Sequence, residues 1–212
     1  MATKNERLIR DMELRIAQNE DTQEPEYRIE GYASTFEPYV LFRDGDVEYK
    51  EVIDPQAFDE TDMSDVVLRV DHEGKVYART SAGDLVVSVD DHGLKQEADL
   101  SRTAAGRSLF EDIAAGHYPK MSFAFTVADD GDDYDKKTHL RTITKIAKLF
   151  DVSPVSFPAN PGTELDVATR DYFHGVMEVE RAERLAQEQR AAQIAELTER
   201  LERLKNGNQN RN

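Results

Sequence analysis

Hydrophobic and polar positions divide this chain into three textures. Residues 1–24 are charged and polar, with Leu8, Ile9, Met12 and Ile16 at helical spacing, a pattern that fits a short helix, a strand or a frayed arm. From Tyr27 to about Phe157, short β-rich stretches alternate with clusters of Gly, Pro and Asp, which predicts a mostly β domain. Strands are expected at Tyr27–Thr35, Tyr49–Ile53, Val66–Val70, Leu85–Val89, Leu94–Leu100, Met121–Val127, His139–Phe150 and Val152–Phe157. After Pro154, Pro158 and Pro161 the texture changes again. From Tyr172 to about Lys205 the chain is rich in Ala, Glu, Arg, Gln and Leu and has no proline, which predicts one long helix. The expected organisation is therefore an arm (1–24), a β domain (25–165), a helical segment (166–205) and a disordered tail (206–212).

Local signals refine this outline. Asp90-Asp91-His92-Gly93 between two alternating stretches reads as a hairpin turn, with Gly93 free to take positive φ and His92 as a turn residue. One helix interrupts the strands. Ser101 or Thr103 caps it, Leu109, Phe110, Ile113 and Ala114 form its apolar face, and Gly116 ends it. In the long helix, Ile194, Leu197, Leu201 and Leu204 make a coiled-coil seam about two heptads long, too short to be stable alone. It is expected to dock on a partner helix, on another copy or on its own domain.

Charge and composition exclude several function classes. The net charge of −16 argues against nucleic acid as a partner, because a phosphate backbone is bound through clustered Lys and Arg. From Tyr172 onward seven Lys and Arg balance seven Glu, so the excess acid lies upstream. Its densest run, Asp129 to Asp135, is either a divalent-cation loop or a solvated loop between strands, and it lacks the Glu that closes a helix-loop-helix calcium site. With no cysteine, the chain has no disulfide, zinc-thiolate site or thiol nucleophile. It has no apolar run of membrane-spanning length and no signal-peptide core at its N-terminus, so it reads as soluble and unsecreted, without cofactor or metal.

Three residues carry candidate chemistry. Ser122 sits in Met121-Ser122-Phe123-Ala124-Phe125, where the period of two puts Ser122, Ala124 and Thr126 on a small-residue face. It is either a plain strand residue or a nucleophile, and a serine nucleophile needs an imidazole to take its proton. His72 ends the Val66–Val70 stretch on the face of Leu68 and Val70, as a satisfied rim histidine or as a base near neutral pH. Asp151 lies at the junction of two apolar stretches, where an unpaired carboxylate would be costly, so it caps a bend or orients an imidazolium. A metal hydrolase built on His72, His92 and nearby aspartates fits poorly, because Asp90, Asp91 and His92 are adjacent turn residues whose side chains diverge.

In combination, several segments resemble the tailed-phage prohead (head-maturation) serine protease family, related to the herpesvirus assemblin-type proteases. They are Gly31-Tyr32-Ala33-Ser34-Thr35-Phe36, Glu51-Val52-Ile53-Asp54-Pro55-Gln56-Ala57-Phe58, Asp71-His72, Gly93-Leu94 with Ala98-Asp99-Leu100, Thr103-Ala104-Ala105-Gly106, Met121 to Phe125, and Asp151 to Pro161. Their order and spacing make the combination specific over residues 27–165. The resemblance implies an α+β fold, mainly β, with a compact barrel surrounded by helices. It also implies a serine endopeptidase that cleaves scaffold and capsid protein segments, and itself, inside proheads assembling in the host cytoplasm. Ser122 then corresponds to the nucleophile and His72 to the base. The herpesvirus relatives use a second histidine as third member; here the corresponding late strand offers Asp151, which is favoured over His139, a residue too close to the acidic loop. The sequence departs from the family pattern at Ala124, often glycine, and at Glu73, often aspartate. A non-catalytic assembly protein keeping the protease fold is the alternative, with self-association through the C-terminal helix open to either.

Overall fold

Alternation in the middle of the chain becomes strand pairing in the computed structural model, which describes residues 5–10, 14–18, 25–156 and 167–209. Met12, residues 157–166 and residues 210–212, on which some sequence expectations fall, lie outside the described residues. In chain order the early strands are β1 (Asn5–Arg10), β2 (Leu14–Gln18), β3 (Pro25–Thr35), β4 (Tyr39–Asp44), β5 (Val47–Ile53), β6 (Val67–Val70) and β7 (Glu73–Arg79). Next come β8 (Leu85–Val89), β9 (Gly93–Asp99), helix α1 (Ala104–Ala114), β10 (Lys120–Val127), β11 (Asp132–Asp135), β12 (Leu140–Ile143), β13 (Ile146–Val155) and helix α2 (Val167–Gln209). The fold is thus α+β and mostly strand. Three sheets form, in the orders β1-β10-β13-β6-β7, β11-β12-β5-β4 and β2-β3-β9-β8, and pairing among the described residues closes none of them into a barrel.

Helical spacing near the N-terminus is overridden by sheet edges. β1 pairs antiparallel with β10, and β2 with β3, so both segments satisfy backbone groups that an edge would otherwise leave open. The expected His139–Phe150 and Val152–Phe157 strands are instead β12 and one continuous β13 that includes Asp151. β13 lies between β10, antiparallel to it, and β6, parallel to it. That position places Asp151 mid-strand, beside a register shift in the β10–β13 pairing.

The core forms on the large-residue side of β10. Phe123 and Phe125 are fully buried and stacked with centroids 4.8 Å apart, and Phe58 lies 6.5 Å from Phe123. Each such ring contributes roughly 2–3 kcal/mol of burial. Ser122, Ala124 and Thr126 are buried as well, so β10 is covered on both faces from Met121 to Thr126. The small-residue face is therefore not an open floor in this chain. Helix α1 is capped by Thr103, whose Oγ1 accepts from the Gly106 N–H at 2.9 Å, and it buries Leu109, Phe110 and Ile113 while Ala114 stays exposed.

Gly93 is glycine for a different reason than its turn suggests. It is absent from the positive-φ glycines, but a Cβ there would stand 2.0 Å from the Ser34 carbonyl oxygen. Close approach of β3, not turn conformation, demands the missing side chain. The turn itself is held by Asp90, whose Oδ1 accepts from the N–H groups of His92 and Gly93. His92 packs edge-on against Tyr32 at 4.5 Å, as a turn residue.

Most of the acidic run is absorbed by strand pairing. Asp132 to Asp135 form β11, and Asp132 accepts from Arg141 Nε at 2.8 Å. The Arg141 guanidinium also donates to Glu51 at 3.1 Å, Tyr39 bonds the same carboxylate, and Arg141 and Glu51 are both buried. The chain divides into two compact units, Met1–Ala168 and Thr169–Asn212. In the second, α2 extends to Gln209 and leaves Ile194, Leu197 and Leu201 exposed along the expected seam.

Because breaking a buried pair strands a charge, Arg141→Met is expected to cost about 3–5 kcal/mol in urea unfolding. Arg43→Met, at the exposed Arg43–Glu48 pair, is expected to cost under about 1 kcal/mol. Equal losses would show that the buried network contributes no more than a surface pair.

Candidate active site

Three neighbouring strands bring the candidate residues together. Ser122 of β10 is the register partner of Ser153 of β13, so their side chains share a face, and Asp151, two residues away along β13, lies on that face too. β13 pairs in turn with β6, whose end at Val70 leads into a two-residue hairpin loop closed by the Val70–Glu73 pair. The loop residues are Asp71 and His72, with φ of 50° and 61°. Left-handed backbone at both central positions is the signature of the tight turn that matches strand twist, and Asp tolerates it better than most residues. The sequence period had put His72 on the strand; the structure puts it in the turn, with its ring brought over the neighbouring strands.

From there the imidazole meets both partners. His72 Nδ1 lies 2.6 Å from Asp151 Oδ1, and His72 Nε2 lies 2.6 Å from Ser122 Oγ. A carboxylate only accepts, so Nδ1–H donates to Asp151; Nε2 of the neutral ring then accepts from the Ser122 hydroxyl. Ser153 Oγ donates to the same Asp151 oxygen at 2.8 Å. All four side chains are buried, with Ser122 and Ser153 at 0% exposure, His72 at 4% and Asp151 at 6%. Among these buried side chains every link is a hydrogen bond, which is what makes a buried carboxylate tolerable. The arrangement can pass a proton from a serine hydroxyl to an imidazole whose other nitrogen is fixed by an acid.

Residues 12–177 match the family described as caudovirus prohead serine protease. The chain belongs to that family. Comparison with curated proteins and with solved structures gives no match. The family match takes in β2 through the first turns of α2 and contains Ser122, His72 and Asp151, while β1 precedes it.

In this prohead serine protease-family chain His139 is held by other partners. His139 ends the β11–β12 connection, 3.1 Å from the Tyr134 hydroxyl through Nδ1 and 5.0 Å from the Tyr49 ring. Asp151, not His139, is the residue at hydrogen-bond distance from His72 Nδ1. Tyr118, just before β10, has its phenol pushed up first by burial and then by the charges of Asp112 and Asp71, so it stays a neutral hydroxyl.

Sequence reasoning missed the clasp on the His72 turn. The Asp71 N–H donates to the Pro154 carbonyl at 3.0 Å, and the Asp71 carboxylate accepts from the N–H (2.8 Å) and hydroxyl of Ser156. The turn is thereby tied to the end of the strand that holds Asp151. An aspartate directly after a strand and before a histidine was the available signal, because Asp favours turns and bonds nearby backbone. Asp71→Ala removes the acceptor and the tolerance for left-handed backbone, and is expected to lower stability by about 1–2 kcal/mol. Asp71→Asn, which keeps both in part, is expected to lose less than half of that; equal losses in denaturant unfolding would contradict the clasp.

Proposed function

We propose that Ser122 is the nucleophile, His72 the general base and Asp151 the orienting acid of a serine endopeptidase. Its substrates are scaffold and capsid protein segments of the prohead, and the chain also cleaves itself. The observation that carries this reading is the continuous hydrogen-bonded chain, 2.6 Å at each side of His72, in a member of a prohead serine protease family. His72 Nε2 takes the Ser122 proton as Oγ attacks the scissile carbonyl, and Asp151 stabilises the imidazolium that forms. The imidazolium then returns its proton to the leaving amine, and water repeats the cycle on the acyl-enzyme. Ser153 holds Asp151 in place through the shared oxygen. This reading takes the three sheets as parts of the compact barrel that the sequence resemblance implies.

Site of action follows from the family: an assembling prohead in the host cell. Among the described residues, no helix is long and apolar enough to cross a membrane. The exposed Ile194, Leu197 and Leu201 of α2 suit a scaffold helix, which would carry the protease into the shell. A chain ending at Asp171 is expected to be packaged into proheads less efficiently than the full chain, and equal packaging would count against this role.

Co-expression with the capsid protein tests the chemistry. Ser122→Ala and His72→Ala are expected to abolish cleavage on a gel, and Asp151→Asn to slow it by about 10⁴-fold. Intact masses are expected to show a shortened wild-type chain and a full-length Ser122→Ala chain. Cleavage that persists in both alanine variants would leave the non-catalytic assembly reading in place.

A further inference from the structure

The strand that carries Ser122 has a second neighbour besides β13. On its other side lies β1, antiparallel, with Ile9 the register partner of Ser122 and the pairing running from Asn5–Thr126 to Arg10–Met121. β1 is the last strand of the sheet on that side. Without it, β10 would present an open row of N–H and C=O groups beside the serine, which is the surface to which an extended peptide adds as a strand. The edge is therefore filled by the chain's own segment, from residues that precede the family match. Burial points the same way: Ser122 is wholly closed to solvent, so a polypeptide cannot reach Oγ unless some part of the chain gives way.

We infer that the β10 edge beside Ser122 is the docking site for an extended substrate segment, and that β1 is its resident occupant. Displacement of β1 opens the edge, and the chain is latent while β1 is paired. This rests on the reading of Ser122 as nucleophile. Recognition through the edge is by main-chain hydrogen bonds, so it suits unfolded or extended segments of large assembly proteins and is indifferent to most of their side chains.

A reversible lock on the full chain tests the inference, because the natural sequence has no cysteine to interfere. Asn5→Cys with Thr126→Cys joins two register partners when oxidised and frees β1 when reduced. Two probes are applied to both forms: a small fluorophosphonate, mapped to its site of attachment, and denatured capsid protein as an extended substrate. The reduced form is expected to cleave the polypeptide at least about tenfold faster than the oxidised form, as a tenfold change in the open fraction requires. In the otherwise natural chain, Leu8→Pro and Ile9→Pro offer a second measurement. Alternate residues of an edge strand donate to its neighbour, so one of the two prolines removes a β1-to-β10 hydrogen bond, and that variant is expected to cleave faster than wild type. Equal cleavage by oxidised and reduced forms, fast or absent, overturns the inference even where the fluorophosphonate labels Ser122. Absence of Ser122 labelling in both forms overturns the active-site reading, and this inference with it.

Discussion

His72 reaches Ser122 and Asp151 at once because the turn that carries it is tied to the end of β13. A two-residue hairpin loop with both residues left-handed is costly for ordinary side chains, and it persists where surrounding contacts determine it. Asp71 supplies those contacts, through its N–H to Pro154 and its carboxylate to Ser156. The strand that holds the acid thus also fixes the histidine. Sheet order does the rest, since β10, β13 and β6 are adjacent and their register sets Ser122, Ser153 and Asp151 on one face.

Burial gives these polar groups their properties. A carboxylate removed from water is tolerated when its acceptors are filled, and Asp151 takes hydrogen bonds from His72 and Ser153 on one oxygen. The same rule operates in the second sheet, where Arg141 is placed between Asp132 and Glu51. There the buried charges bind strands together. In the first sheet they orient an imidazole. Similar physics ties strands together in one place and fixes the orientation of a ring in the other.

Much of this was legible in the sequence, for physical reasons that differ by element. β8, β10 and α1 announce themselves through apolar periodicity, and Ser122, His72 and Asp151 stand among the matched segments. β7 and β11 were hidden because Glu73, Lys75 and the aspartates of Asp132–Asp135 look like loop composition, although an edge strand tolerates such charges well. β4 was hidden in the same Asp- and Gly-bearing texture, where Gly45 at positive φ turns the chain back into β5. The N-terminal segment stayed open between helix, strand and frayed arm, because the open edges of β10 and β3 decide the conformation of β1 and β2 from far along the chain. Gly93 was read as a turn glycine from its neighbours, while its real constraint is the Ser34 carbonyl, fifty-nine positions earlier. The Asp71 clasp needs Ser156 to be seen, and no local pattern supplies it.

The central claim is that His72 joins an acid on one side to a serine hydroxyl on the other, and the tautomer of its ring reports this directly. Nitrogen-15 NMR of the histidine-labelled chain, with His72 assigned by its loss in His72→Ala, measures which ring nitrogen carries the proton. The account predicts Nδ1–H, with its proton far downfield and lost in Asp151→Ala, and an unprotonated Nε2 facing Ser122. A neutral His72 protonated on Nε2, or an Nδ1 proton that Asp151→Ala leaves in place, would contradict it.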